Sequence, residues 1–304
     1  MKCALIPTGD NQPGVMACIH RSASSLMPFP IDVFCAVTFF LFGAVVGSFL
    51  NVVIIRLPLE ESIVHPPSRC PHCGHEVRAY DNIPILSYFL LAGKCRDCRS
   101  PISFLYPLIE AITACVTMGL YFKFGLTAAT GVFFLFCSAM IAVFFIDLDH
   151  MIIPDEISLN GLPVGMAASI VGVLPGMTWS TSLAGAVLGA GILYVPAVIY
   201  ERVRGVEGLG RGDIKLLATI GAFTGPLGVI FVLFAASVSG CIVAAIAMAI
   251  QGMRSNAQLP FGPFLTVSAI LFVFFGPSIV ETFISFSQWL WVWLRVVSVS
   301  FALV

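Results

Sequence analysis

Long apolar runs, separated by short polar stretches, dominate the chain after residue 30. A helix needs about 20 apolar residues to cross the hydrocarbon layer of a membrane. Eight segments are candidates: residues 31–55, 102–122, 126–146, 157–173, 183–200, 214–224, 227–250 and 264–280. The sixth is too short to cross alone, so it either continues past Gly225-Pro226 or packs as a half-helix against protein. The pattern predicts an all-α polytopic membrane protein with about eight transmembrane helices.

Composition agrees with this class of protein. The 304 residues are 59% hydrophobic and only 10% charged, which a soluble globular domain of this length would not normally show. The formal net charge is −1, so the basic surface that binds nucleic acid is not expected. The bilayer is therefore the expected environment of most of the chain.

The positions of the basic residues predict the orientation in the membrane. Six lie between the first two segments, three between the fifth and sixth, and one between the seventh and eighth. The positive-inside rule places these three loops in the cytoplasm. With eight crossings, the loop after residue 146 is cytoplasmic too, so Asp147 and Asp213 lie at the same border. We expect a multi-pass protein of the bacterial inner membrane.

Polar content divides the chain into five regions. Residues 1–30 form an extension that we expect to be poorly ordered, and residues 31–55 form a helix that resembles a retained anchor. Residues 56–101 form a cytoplasmic four-cysteine domain, and residues 102–284 form the membrane-embedded domain. The Trp-rich segment 285–304 is interpreted as an interfacial helix in preference to a ninth crossing.

Two CxxC pairs occur in the first loop, as Cys70-Pro71-His72-Cys73 and Cys95-Arg96-Asp97-Cys98. This spacing is typical of a zinc ribbon, in which each turn directs two thiolates at one tetrahedral centre. Disulfides are disfavoured in a reducing cytoplasm, although a redox pair or an iron–sulfur cluster remains an alternative. We predict a zinc-ribbon-like loop with structural Zn²⁺ bound by Cys70, Cys73, Cys95 and Cys98.

Two aspartates lie where a membrane segment meets polar chain. Asp147 follows the apolar run 126–146, and Asp213 ends the glycine-rich stretch 208–213. Charged groups at such positions are costly and are often functional. If the two carboxyl groups meet, they share one proton, because like charges a few ångströms apart are not both ionised comfortably. Such a pair activates water in aspartic proteases. The structural alternative is a border ion pair between Asp213 and Lys215.

Neighbouring acids have simpler interpretations. Asp149 lies two residues after Asp147, so the two side chains point to different faces of a helix. Asp155 and Glu156 follow Pro154, which ends a helix. We interpret Asp149, Asp155 and Glu156 as solvated charges at a helix end.

Several further motifs accompany the cysteine pairs and the two aspartates. They are Gly47-Ser48-Phe49-Leu50-Asn51-Val52-Val53, Arg56-Leu57-Pro58, Asn82-Ile83-Pro84, Ser87-Tyr88, Gly93-Lys94-Cys95, Tyr106-Pro107 before Glu110, Pro154-Asp155, residues 208–215 and Pro260-Phe261-Gly262-Pro263. Together they make the chain similar to the bacterial type IV prepilin peptidases, also called leader peptidase/N-methyltransferases, of the GxGD aspartic protease class. The similarity extends over nearly everything after Met27.

This resemblance implies an activity, a methyl donor and substrates. Asp147 and Asp213 match the catalytic aspartates of the family, which cut the leader from type IV prepilins or type II secretion pseudopilins after a glycine, at the cytoplasmic face. Many bacterial members then methylate the new N-terminal residue with S-adenosylmethionine, and the four-cysteine loop is typical of these bifunctional members. The chain has no Gly-x-Gly-x-x-Gly fingerprint after a strand, so the residues that bind the methyl donor are not assigned.

Two other functions are compatible with part of the pattern. An ion- or proton-coupled transporter also places acids and Gly/Pro-broken helices in the membrane, but it does not account for the CxxC pairs. A zinc-bearing assembly scaffold without catalysis would keep its function when either aspartate is changed to asparagine.

Overall fold

The computed structural model describes residues 3–5, 16–18, 30–205, 210–251 and 259–302. Its helices are α1 (Pro30–Arg56), α2 (Leu86–Leu90), α3 (Leu105–Phe124), α4 (Ala128–His150), α5 (Asp155–Ile170), α6 (Trp179–Arg204), α7 (Arg211–Gln251) and α8 (Gly262–Ala302). Short 3₁₀ helices span Leu57–Leu59 and Ala79–Asn82. The all-α prediction is confirmed for the membrane-embedded part of the chain.

The chain divides into two units, Met1–Thr38 and Phe39–Val304. The first contains β1 (Cys3–Leu5) and β2 (Met16–Cys18), which pair antiparallel with Cys3 opposite Cys18, and the first turns of α1. The rest of the predicted N-terminal extension lies outside the described residues. The second unit contains the remaining elements and both predicted sites.

Within the part of the chain that the structure describes, five helices are long and apolar enough to cross a membrane: Ile31–Leu59, Leu105–Phe124, Ala128–His150, Trp179–Arg204 and Arg211–Ile250. Helix α5 has 16 residues and spans about 24 Å, which is less than the hydrocarbon thickness of about 30 Å. Among the described residues, α8 contributes the further apolar stretch Gly262–Gly276. A multi-pass membrane protein is confirmed, while the count of eight crossings stays a prediction.

Helix α7 unites the predicted segments 214–224 and 227–250. Gly225 interrupts its helical backbone, with φ 71° and ψ −178°, and Pro226 follows. Residues 211–224 therefore form a half-helix about 21 Å long, in which Leu216, Leu217 and Ile220 are fully buried. Both interpretations of the short sixth segment hold in part: the chain continues past Gly225-Pro226, and the first half packs inside protein.

Helix α6 crosses this half-helix at glycines. A Cβ atom on Gly185 would overlap the carbonyl oxygen of Gly221, and one on Gly189 would overlap that of Leu217. The hydroxyl of Ser182 donates to the carbonyl oxygen of Ala222 at 2.7 Å. Close backbone contact of this kind drives helix association in lipid, where apolar burial alone gives little net gain.

Helices α3 and α4 form an antiparallel hairpin with α8 packed beside them. Only residues 125–127 separate the two helices, so the start of α3 and the end of α4 lie at the same border. The ammonium group of Lys123 donates to the carbonyl oxygens of Val273, at 2.6 Å, and Phe274 of α8. Pro277 has no N–H for the Val273 oxygen, so Lys123 supplies a donor that the helix lacks.

Gly185→Ala is expected to lower the unfolding temperature of the detergent-solubilised protein, because its Cβ atom would push α6 away from α7. Overpacking of this kind lowers the free energy of unfolding by about 1–3 kcal/mol. Gly191→Ala on the same helix is the matched control, since a Cβ atom there has nothing within 4 Å. Equal unfolding temperatures for the two variants would contradict the close crossing.

Candidate active site

Asp147 lies one turn before the end of α4 and is only 5% exposed. Its carbonyl oxygen accepts from the N–H of Met151, which ends the helix with φ 55°. Leu148, Asp149 and His150 are exposed, which confirms that Asp147 and Asp149 lie on different faces. Asp147 is therefore the acid of this helix end that turns into the protein.

Asp213 is the third residue of α7 and is half-buried. Its backbone N–H donates to the carbonyl oxygen of Gly210 at 3.2 Å. A Cβ atom on Gly210 would lie 3.2 Å from Oδ2 of Asp213, so the glycine leaves space beside the carboxyl group. The helix N-terminus favours negative charge at this position. Gly208 and Leu209 of the predicted motif lie outside the described residues.

Three segments bring the two aspartates together. The backbone N–H of Gly262, at the start of α8, donates to the Asp147 carboxyl group, and a Cβ atom on Gly262 would lie 2.5 Å from Oδ2. Ile153, between α4 and α5, is next to both Gly262 and Gly212. The Asp147 and Asp213 carboxyl groups are near enough for their charges to interact. The structure thus joins residues that are 66 positions apart in sequence.

Gly262 is a site residue to which the sequence analysis gave no role. The available signal was a glycine between Phe261 and Pro263 at the start of an apolar segment. Its contact with Asp147 depends on how α8 packs against α4, which no local pattern reveals.

The alternative prediction for Asp213, a border ion pair with Lys215, is wrong. The ammonium group of Lys215 forms its ion pair with Asp155, at 2.6 and 2.8 Å from the two carboxylate oxygens. Asp155 is exposed and lies in the first turn of α5, as expected for a charge at a helix start. Because Lys215 faces α5, it does not neutralise Asp213 in the way that the alternative required.

The four predicted cysteines form one cluster. The Sγ atoms of Cys70, Cys73, Cys95 and Cys98 all lie within 4.8 Å of one another, and those of Cys70 and Cys98 are 3.8 Å apart. Sulfur ligands of a tetrahedral zinc ion with bonds of 2.3 Å would be about 3.8 Å apart. The donor set therefore suits a metal ion that thiolates bind, and His72 and His75 are exposed residues outside the cluster.

The two CxxC turns have the same backbone construction. The N–H of Cys70 donates to the carbonyl oxygen of His75, and the N–H of Cys95 donates to that of Ser100. The fifth residue of each turn has a left-handed backbone, with φ 73° at Gly74 and φ 60° at Arg99. Each turn thereby directs two thiols to the same side.

Hydrogen bonds in these turns change the acidity of the thiols. The backbone N–H groups of Cys73 and His72 lower the pKa of Cys70 to about 6, and the Ser100 hydroxyl lowers the pKa of Cys98. The N–H of His75 favours the thiolate of Cys73, but desolvation and the neighbouring thiols raise its pKa to about 12. A cation bound in the cluster would stabilise all four thiolates, and so it would offset the mutual repulsion that raises the pKa of Cys73.

An ion pair connects the two halves of the cysteine loop. The Arg96 guanidinium donates to both carboxylate oxygens of Asp81, at 2.8 and 2.5 Å, and it lowers the pKa of that carboxyl group. Arg96 also lies over the ring of Tyr80 at 5.4 Å. This contact joins the second CxxC turn to the 3₁₀ helix Ala79–Asn82.

Fold and site define a polytopic helical membrane protein that holds two aspartates together at one border and a four-cysteine module at the same border. Residues 41–124 match the Bacterial Peptidase A24 N-terminal domain, and residues 134–245 match the Type IV leader peptidase family. The chain belongs to this type IV leader peptidase family.

Curated relatives support the same assignment over most of the chain. A prepilin leader peptidase/N-methyltransferase of Burkholderia pseudomallei (strain 1026b) is 36% identical over 259 residues, covering 77% of this chain and 83% of the relative. Proteins of the same name from Pseudomonas aeruginosa (81% of this chain, 92% of the relative) and Dichelobacter nodosus (86% and 97%) are each 34% identical. No solved structure matches the chain.

Gly74→Ala is expected to lower the thermal stability of the cysteine module, whereas Arg99→Gly raises it. A side chain in the left-handed region costs about 1–2 kcal/mol, and a Cβ atom on Gly74 meets nothing else within 4 Å. Reaction of the cysteines with a thiol-reactive dye during heating measures the change. Lower stability in both variants would contradict the equivalence of the two turns.

Proposed function

We propose that this protein removes the leader peptide from type IV prepilins or type II secretion pseudopilins and then methylates the new N-terminus. The observation that carries the proposal is the meeting of Asp147 and Asp213 beside Gly262. The names of the relatives include both activities, and the match to this chain covers more than four fifths of each relative's length. The carrier alternative is not favoured, since it accounts for neither the cysteine cluster nor these relatives.

In this proposal the two aspartates share one proton. The ionised carboxylate takes a proton from a water molecule, which attacks the carbonyl carbon of the leader glycine in the peptide bond that is cut. The protonated carboxyl group donates its proton to the developing oxyanion, and the proton taken from water passes to the leaving amine as the C–N bond breaks. The N–H of Gly262 orients Asp147 through its hydrogen bond, and Ile153 limits the space around both acids.

The cytoplasmic face of the inner membrane is the proposed location of this chemistry. The cysteine module precedes α3, and Asp147 ends α4, so the hairpin of α3 and α4 places both at one border. The module carries Arg69, Arg78, Lys94, Arg96 and Arg99, which the positive-inside rule assigns to the cytoplasm. A prepilin with a basic leader would meet the aspartates from that side.

The cysteine module has a structural part in this proposal. Four thiolates complete a tetrahedral shell around Zn²⁺ and leave no position for a substrate or water. The module has few buried residues, so a metal would supply folding energy that a small core does not. The proposed methyl donor, S-adenosylmethionine, supplies an electrophilic methyl group when it is bound.

Asp147→Asn and Asp213→Asn are each expected to abolish leader cleavage, because an amide neither accepts the proton of water nor shares one with its partner. Cleavage of a Gly-Phe prepilin by the detergent-purified variants, followed by mass spectrometry of the mature N-terminus, measures both proposed activities. Asp149→Asn, at the exposed face of the same helix end, should cleave as the wild type does. Full cleavage by either of the first two variants would exclude that residue from the mechanism and favour a scaffold.

The purified protein is expected to contain about one zinc ion per chain. Cys98→Ser should lose the metal and unfold at a lower temperature, because three thiolates hold zinc less tightly than four. Cys241→Ser changes an exposed cysteine of α7 and is the matched control. Metal analysis that finds neither zinc nor iron in the wild type would contradict the metal site.

A further inference from the structure

A cavity of about 530 Å³ lies between the cysteine module and the ends of α1 and α3. This volume is within the range of about 300–1,000 Å³ that small-molecule sites occupy. Hydroxyl, amide, carboxyl and aromatic groups line it, among them Ser48, Asn51, Asp81, Tyr88, Tyr106 and Glu110. The leader cleavage described above uses none of these residues.

Glu110 is the buried acid of this cavity, with an exposed fraction of 8%. The N–H of Ile85 donates to its Oε2 at 2.6 Å, and the Ser48 hydroxyl lies beside the same carboxyl group. Within the described residues Glu110 has no ion pair with a basic side chain. The other lining acids do, in the pairs Asp81–Arg96, Glu76–Arg69 and Asp97–Arg78. A buried carboxylate without a cation is costly, so the part of the cavity at Glu110 favours a positively charged group of a ligand.

The backbone around Glu110 holds this carboxyl group in place. A Cβ atom on Gly47 of α1 would lie 2.7 Å from Cα of Glu110, so the two helices are in direct backbone contact. Ile85 has φ 63° and ψ −53°, which a β-branched residue rarely adopts. Its N–H reaches Glu110 in this conformation. Strain of this kind persists where surrounding contacts require it, often at ligand sites.

One apolar cluster contains residues next to both Glu110 and Asp147. Leu50, Ile54, Ile109 and Ile146 belong to it, and α1, α3 and α4 contribute these residues. Ile109 precedes Glu110 and Ile146 precedes Asp147, so each acid follows a residue of the shared cluster. The same packed cluster therefore positions both acids.

We propose that this cavity binds the methyl donor, S-adenosylmethionine, with the Glu110 carboxylate facing its sulfonium centre. The inference rests on the proposed function, because it assigns a site to the second of the two activities. The sulfonium charge of the ligand matches the unpaired carboxylate. Tyr88 and Tyr106 offer aromatic surface for the base, and Asn51 and Asp81 offer polar groups for the ribose.

Binding of S-adenosylmethionine and of its neutral thioether product, S-adenosylhomocysteine, to the full detergent-purified chain tests this site by calorimetry. Glu110→Gln should bind S-adenosylmethionine about tenfold more weakly or worse, because one partner of a buried charge pair is lost. Its affinity for S-adenosylhomocysteine should change less, so the preference for the charged ligand should disappear. Glu156→Gln, the same change at an exposed acid, should retain both affinities.

A second variant keeps the test independent of how Glu110→Gln folds. Ile55→Trp adds volume at a residue that lines the cavity, and it should weaken the binding of both ligands. Val45→Trp makes a similar addition at an exposed position of the same helix and should leave binding unchanged. Loss of binding in Ile55→Trp with retention in Val45→Trp would support the site.

Leader cleavage by the same wild-type preparation separates this inference from the proposed function. A wild type that cleaves and binds S-adenosylmethionine, with affinities unchanged in Glu110→Gln and Ile55→Trp, would overturn the cavity as the site and leave the function standing. A wild type that cleaves but binds no S-adenosylmethionine would overturn the site together with the methylation. A wild type that does neither would contradict the proposed function itself.

Discussion

Close approach of helix backbones at glycines is the constraint on which the rest of the structure depends. In lipid, helices gain little from burying apolar surface, so van der Waals contact between backbones becomes a main source of association. Gly185 and Gly221 let α6 and α7 touch, and Gly47 lets α1 touch α3 at Glu110. Gly262 brings α8 against the Asp147 carboxyl group. Glu110 and Asp147 are therefore each held beside a position where no side chain fits.

The half-helix at the start of α7 turns this packing into a site. Its residues 216–224 are buried, it packs against α5, α6 and α8, and Gly225 ends it inside the protein. The hydroxyl of Thr219 donates to the carbonyl oxygen of Ser158 in α5, which fixes the half-helix along its axis. Asp213 is thus presented from a buried element and not from a mobile loop, which suits a carboxyl group that has to meet Asp147.

The two proposed chemistries use different parts of one border. The aspartates belong to α4 and α7, while the cavity at Glu110 belongs to α1, α3 and the cysteine module. The shared cluster around Ile109 and Ile146 couples their positions without mixing their residues. The Arg96–Asp81 contact and the cysteine cluster shape the module that closes the cavity. A metal ion bound by the four cysteines would in this way stabilise the cavity at Glu110 without lining it.

The sequence by itself determined the features that depend on local spacing. Hydropathy predicted the long membrane helices, CxxC spacing predicted the cysteine cluster, and two border acids, Asp147 and Asp213, indicated the aspartate site. Only the tertiary structure decided that Lys215 pairs with Asp155, that Gly262 contacts Asp147, and that Glu110 faces a cavity. Apolar periodicity in a membrane helix does not distinguish the face toward lipid from the face toward protein. Contacts between residues 60 or more positions apart follow from how whole helices pack, and no local pattern encodes them.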